Sequence, residues 1–375
     1  MAELSRQLCN RLVEEITTGG PISFDRYMAK ALYEPGLGYY VNGLHKFGAA
    51  GDFVTAPEQG RLFAHTLSRQ LDQIATELGE DWTLFELGAG SGALARDLLK
   101  TMECPPARYL ILEPSAPLRD VQYDTLSALP APLKDRLAWI AQPPTKSFTG
   151  VILANEVLDA LPVARFRMTG GQPVELGVTV SNERLDWVEL APSPRLDAAL
   201  GLLLERLPHA LPDGYESEIC IDLPGWLETI TSPLKRGSVL FIDYGYPRSE
   251  YYHPSRSGGT LVCHYRHRSH FDPFVWPGLT DLSAFVDFTA TAEATVDCGL
   301  KVAGYTTQAG FLLSLGLADA AADIDDDQQR FKLTSEIKRL TLPGEMGEKF
   351  KVIALTRDFD HPLTGFGSMS QLHRL

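Results

Sequence analysis

The stretch Phe85-Glu86-Leu87-Gly88-Ala89-Gly90-Ser91-Gly92-Ala93-Leu94 constrains this chain more than any other. Thr83 to Leu87 reads as a buried strand, the alternating glycines as a tight loop, and Ala93 to Lys100 as the helix it feeds. Gly88, Gly90 and Gly92 keep side chains away where a ligand approaches the backbone, and the helix start offers free N–H groups. Arg108 to Leu112 reads as the next parallel strand. Glu113 then sets a carboxylate at its carboxyl end, where a doubly wound sheet holds ribose hydroxyls. The pattern predicts a doubly wound α/β fold that binds a nucleoside-containing cofactor.

Gly88-x-Gly90-x-x-Ala93 also matches the relaxed dinucleotide fingerprint. Two features favour S-adenosyl-L-methionine (SAM), with S-adenosyl-L-homocysteine as its product. Glu86 lies two residues before the first glycine, where a carboxylate can hold the ammonium of a methionine group but would repel a pyrophosphate. The strand-loop unit also begins only at Thr83, whereas dinucleotide domains commonly open with it.

A net charge of −14 with no evident basic face argues against a nucleic-acid partner. No apolar run has the length to cross a bilayer, so no membrane insertion is expected. Met1 to Asn10 carries Glu3 and lacks an apolar core, unlike a secretory signal or a typical transit peptide. The five cysteines are odd in number and scattered, which points to reduced thiols and a cytoplasmic location. His264-x-x-His267-x-x-His270 has neither the i, i+4 spacing of a helical metal pair nor clustered cysteines, so no metal is expected. These features specify no oligomeric state.

Residues 1–80 read as a helical N-terminal region with a cofactor-covering loop: a helix over Leu4 to Thr17, a second over Ser23 to Leu32, then a loop rich in Gly, Tyr and Phe. Thr55-Ala-Pro-Glu58 reads as a capping box opening a helix that runs through Phe63 and Leu67 toward Leu78. The sheet core is expected over 81–162 and 223–358. Leu137 to Ile140 and Gly150 to Glu156 are its third and fourth strands and Ser238 to Gly245 its fifth, with Lys301 to Thr307 and Phe350 to Leu355 as a late antiparallel pair. Residues 163–222 break the parallel pattern with antiparallel candidates and read as an α+β insertion for substrate or partner recognition.

Several separated segments carry a resemblance. Gly20-Pro-Ile-Ser-Phe24, Gly51-Asp-Phe-Val-Thr-Ala-Pro-Glu58, Glu86-Leu-Gly-Ala-Gly90, Asn155-Glu156 with Asp159-Ala-Leu-Pro162, Asp243-Tyr-Gly245 and Gly310-Phe-Leu312 resemble the MidA-type family of SAM-dependent methyltransferases. The match runs over nearly the whole chain. It implies a class I methyltransferase fold with an inserted accessory region. Mitochondrial members of that family are assembly factors for respiratory complex I that symmetrically dimethylate an arginine, so the resemblance implies a protein substrate. Methylation of a small molecule or of another protein atom, and a SAM-binding assembly scaffold with little turnover, are the alternative readings.

Methyl transfer from a sulfonium is an in-line displacement, so the protein must position the acceptor and exclude water. A guanidinium acceptor arrives protonated and needs carboxylates to orient it and take a proton. Asn155, Glu156 and Asp159 lie just past the fourth strand, over the expected position of the methyl group. Glu156 is the primary guanidinium ligand in this reading and Asp159 the second carboxylate. Asp52 is expected to hold the SAM ammonium or line the substrate mouth, alongside Glu86, Glu113 and the three glycines as cofactor-binding residues. His267 is the histidine expected to line the acceptor pocket.

Overall fold

The computed structural model describes residues 2–44, 56–321 and 326–375. Its central sheet runs in the order β3-β2-β1-β4-β5-β7-β6, built from β1 (Thr83–Leu87), β2 (Arg108–Leu112), β3 (Leu137–Ile140), β4 (Phe148–Asn155), β5 (Leu234–Tyr246), β6 (Lys301–Thr307) and β7 (Phe350–Arg357). Strands β1 to β5 run parallel to one another. β7 lies antiparallel between β5 and β6, with Gly237 opposite Arg357 and Tyr244 opposite Phe350. Val286–Asp287 adds a short parallel partner at the far end of β5.

The central strands are buried on both faces, as parallel strands under helices must be. In β1, Leu84 packs on one face with Val151, Leu240 and Val352, beneath the helices Leu62–Leu78 and Ala93–Thr101. Phe85 packs on the other with Ile152, Phe241 and Ile353, beneath Leu223–Thr231 and Phe288–Asp297. The two-residue alternation sends neighbouring side chains into separate cores. The parallel arrangement brings Leu87, Leu112 and Asn155 to one edge, the crevice where ligands of such sheets bind.

Three stretches distant in sequence make a second lobe beside that edge. In the insertion, Gln172–Ser181 pairs antiparallel with Ala164–Thr169 and Arg184–Leu190, and Ala164–Thr169 also pairs with Glu216–Ile219. Ile22–Ser23 from the N-terminal segment joins the same sheet, with Ile22 opposite Val178. The third stretch is a small sheet of Val262–Tyr265, Arg268–His270 and Asp281–Ser283. Leu8, Leu12, Phe24 and Met28 from the helices Ala2–Gly19 and Phe24–Tyr33 bury against Val178, Cys263 and Leu282. Apolar helix faces thus cover sheets from the other two stretches.

One expected element falls differently. The helix read from Thr55 to Leu78 is two helices, Ala56–Gln59 and Leu62–Leu78, with Thr55 outside the described residues. The break has a tertiary cause. Glu336 presses its carboxylate onto Gly60, where a Cβ would meet it at 2.2 Å, and accepts the Leu62 N–H at 2.7 Å. The histidine-rich stretch holds a hairpin whose two-residue turn, Arg266-His267, takes φ of 49° and 59°, as a primed turn requires. All five cysteines are free thiols. Among the described residues, no helix is long and apolar enough to cross a membrane.

Asp243, fully buried at the end of β5, shapes the loop after β4. Its Oδ2 accepts the backbone N–H groups of Val157 (3.1 Å), Leu158 (2.9 Å) and Asp159 (3.2 Å), and its Oδ1 accepts that of Tyr244 (2.9 Å). Removing it would strand several interior donors, each costing about 1–3 kcal/mol. Asp243→Ala is therefore expected to destabilise the protein by at least ~3 kcal/mol. A denaturant midpoint within error of the parent would refute this.

Candidate active site

The carboxyl edge of the sheet and the second lobe enclose a cavity of about 1180 Å³. The glycine loop forms one wall. Gly88, Gly90 and Gly92 have φ of 62°, 54° and 83°, a region open chiefly to glycine. At Gly88 a Cβ would meet Val157 Cγ2 at 2.9 Å, so the absence of a side chain there also keeps the cradle open.

Glu113 stands at the cavity wall after β2, buried, with Oε1 accepting the Ser115 N–H (2.9 Å) and Oε2 the Gln122 amide (3.0 Å). Each oxygen has a second lone pair for a ribose hydroxyl. Gln122 also donates to the Gly90 carbonyl (3.0 Å) and accepts from the Trp139 indole (2.9 Å), tying glycine loop, Glu113 and β3 into one network. Leu112, Pro114 and Leu118 supply an apolar wall beside Glu113 suited to a purine. Glu86 lines the cavity from β1 and accepts the Tyr109 hydroxyl at 2.9 Å. Burial raises its pKa to about 7, with the Tyr109 hydrogen bond opposing the rise.

On the acceptor side, Asn155, Glu156 and Asp159 come together at the end of β4. Glu156 has a φ of 54°, strained for a glutamate, and its N–H is held by the Ile242 carbonyl at 2.9 Å. Asn155 donates to Glu156 Oε1 at 3.1 Å. Burial raises Glu156 to about 8, and the neighbouring carboxylates Asp159 and Asp281 add to the rise. Asp159 sits in the turn Leu158–Ala160, accepts the Tyr244 hydroxyl and has its own pKa raised by burial. Asn155, Glu156 and Asp159 all line the cavity, while Asp159 Oδ1 and Asn155 Oδ1 are themselves buried.

The remaining expected residues are placed less as predicted. Asp52 lies outside the described residues. His267 is corrected: it is exposed in the hairpin turn, away from the cavity, because the primed turn projects it outward. Alternation along the hairpin puts Val262, His264 and Ser269 on the cavity face instead. Burial lowers the pKa of His264, favouring its neutral form. Glu58, read as a capping-box partner, accepts the Ser91 hydroxyl of the glycine loop. Among the described residues no cluster of three or more His, Cys, Asp or Glu is arranged to hold a metal ion.

The residues present fit SAM. Glu113 would hold the ribose, the glycine loop the backbone side of the ligand, and Glu86 the ammonium. Glu86 and Glu113, beside the glycine loop, offer acceptors to an ammonium and a ribose and would oppose a pyrophosphate there.

Two binding results are expected. Glu113→Ala should weaken S-adenosylhomocysteine binding by about 2–4 kcal/mol, the loss of charge-assisted hydrogen bonds; unchanged affinity in calorimetry would refute the assignment. Glu86 must shed its proton before pairing with an ammonium, so affinity should rise as pH passes upward through about 7. Glu86→Gln should flatten that dependence. A pH slope equal to the parent's would place the titrating group elsewhere.

Comparison with known proteins agrees with this geometry. Residues 62–306 match the family model described as "Putative S-adenosyl-L-methionine-dependent methyltransferase". A crystal structure from Burkholderia thailandensis with S-adenosyl-homocysteine bound is 39% identical, with a TM-score of 0.92 over 100% of this chain and 97% of that one. Mitochondrial protein arginine methyltransferase NDUFAF7 of Mus musculus is 28% identical over 93% of this chain and 84% of its own, and that of Danio rerio 26% identical over 94% and 88%. Fold, glycine loop and family match coincide, and the chain belongs to this family of SAM-dependent methyltransferases.

Proposed function

We propose that the protein transfers the methyl group of SAM to an arginine of a polypeptide. The observation that carries this reading is the carboxylate pair Glu156–Asp159, set past β4 and facing the same cavity as the glycine loop. The names of the mitochondrial relatives support the same acceptor.

Bound SAM supplies an electrophilic methyl on a sulfonium. The protein's part is to present a nucleophilic nitrogen in line with it and to manage one proton. A guanidinium with a pKa of about 12.5 or above has no ready lone pair. Glu156 would accept hydrogen bonds from it, fix its plane, and take a proton from the attacking nitrogen as the N–C bond forms and the C–S pair returns to sulfur. Asn155 holds Glu156 Oε1, and Tyr244 holds Asp159, so both carboxylates are oriented before the acceptor arrives.

The raised pKa of Glu156 has a kinetic consequence. With a free-site value of about 8, the carboxyl is largely protonated at neutral pH, and a cation entering the pocket must displace that proton. The rate kcat/KM for arginine methylation should therefore rise with pH and level off above about 8.

Incubation with SAM and candidate polypeptides, read by mass spectrometry, should yield methylarginine. Glu156→Gln should cut this by a factor on the order of 10² or more while leaving S-adenosylhomocysteine affinity nearly unchanged. Methylation near the parental rate in this variant would mean that another group is the catalytic carboxylate.

A further inference from the structure

One wall of the acceptor pocket does not belong to the central sheet. Asp281 opens the strand Asp281–Ser283, directly opposite His264 in the small three-stranded sheet, and both residues line the cavity. Asp281 is only 3% exposed. Its Oδ1 accepts the Tyr40 hydroxyl at 3.0 Å and its Oδ2 the Ser283 hydroxyl at 3.4 Å. Tyr40 comes from the N-terminal segment and is itself braced: its ring stacks on Tyr33 (5.7 Å between centroids, 20° between planes) and meets Tyr39 edge-on (5.0 Å, 84°). The Tyr33 hydroxyl in turn donates to the Ala160 carbonyl at 2.8 Å, beside Asp159.

We infer that Asp281, held by Tyr40, is a third carboxylate of the acceptor pocket and helps select a cationic acceptor. Three observations point the same way. Asp281 belongs to the same cavity wall as Glu156 and Asp159. Its negative charge is felt at Glu156, where it adds to the rise in pKa produced by burial and Asp159. Both Asp281 oxygens are held by hydroxyl donors, Tyr40 on Oδ1 and Ser283 on Oδ2, so the carboxylate is fixed in that wall before an acceptor arrives.

The physical logic is one of mutual exclusion. Asp159 and Asp281 both oppose ionisation of the buried Glu156, so the three carboxyl groups cannot all ionise cheaply without a cation among them. A planar guanidinium carries five N–H donors and a full positive charge, which suits carboxylates delivered from more than one direction. A neutral acceptor would leave the repulsion in place. Tyr40 acts through Asp281 and is a positioning residue. Its phenol is kept neutral, because burial and the nearby carboxylates push its pKa up, so it remains a hydrogen-bond donor.

This inference rests on the arginine reading above, and the test separates the two. The full-length protein loaded with S-adenosylhomocysteine is titrated by calorimetry with the peptide acetyl-Gly-Gly-Arg-Gly-Gly-amide and with the same peptide carrying citrulline. The parent should prefer arginine by about tenfold or more. Asp281→Asn should reduce that preference about tenfold, and Tyr40→Phe by a few-fold, with S-adenosylhomocysteine affinity changed less than about twofold. Asp281→Glu should restore part of the preference.

A second readout would not move for a merely structural residue. The charges of Asp159 and Asp281 act on Glu156, which in turn acts on Asp243; Tyr40, Tyr244, His264 and the cations Arg165, Arg256 and Lys349 line the same cavity. Removing the Asp281 charge should shift the rise of kcat/KM to lower pH, because a like charge that opposes ionisation of Glu156 is gone. Equal affinity of the parent for both peptides would overturn the arginine reading itself. An arginine preference and pH midpoint that persist unchanged in folded Asp281→Asn and Tyr40→Phe would overturn the role of Asp281 alone.

Discussion

Asp243 collects the N–H groups of Val157, Leu158 and Asp159 on one carboxylate oxygen, and much of the active site hangs from that contact. A strand leaving a parallel sheet normally continues into a loop with freedom of direction. Here three successive amides turn inward to one buried carboxyl oxygen, which forces the tight turn over Leu158–Ala160. That turn brings Asp159 under Tyr244, and Glu156 enters it with a left-handed backbone. Burial and the charges of Asp159 and Glu156 raise the pKa of Asp243, while the backbone N–H groups of Asp159 and Tyr244 oppose the rise.

The cavity is divided by chemistry. Its cofactor side follows the logic of the doubly wound sheet: a glycine loop after β1 and an acid after β2, joined by Gln122. Its acceptor side is assembled from the loop after β4, the end of β5, the Tyr33–Tyr40 stack and the Asp281 strand. The lobe that supplies the last two is built by burying the helices Ala2–Gly19 and Phe24–Tyr33 against the insertion and the histidine hairpin. The N-terminal segment therefore contributes to the site as well as to the protein's outer surface. Through the Tyr40–Asp281 hydrogen bond it shapes one wall of the cavity.

Much of this was legible from local pattern. The seven core strands, the antiparallel pair at the end and the cofactor edge all follow from apolar runs and turn residues, because a strand buried on both faces leaves a continuous signature. Glu86, Glu113, Asn155, Glu156 and Asp159 were located by their positions at strand ends, where the backbone path carries them to one edge. Local sequence does not tell His264 from His267 as the histidine that lines the cavity. Only the two-residue period of the hairpin, once its primed turn is known, tells the cavity face from the solvent face. The break at Gly60 was illegible because its cause, Glu336, lies 276 residues further along the chain by residue number.

The sequence by itself determined the order of elements, the glycine cradle and the acidic strand ends, since these depend on short-range backbone preferences and hydrophobic period. Tertiary structure alone decided the protonation and the company of those acids. Glu86 is moved to about 7 and Glu156 to about 8 by burial, a property that no local window contains. Tyr40 meets Asp281 across 241 residues, and Gln122 meets Gly90 across 32. Such contacts exist because packed layers bring remote segments within hydrogen-bonding distance, and the low-dielectric interior then makes each of them count.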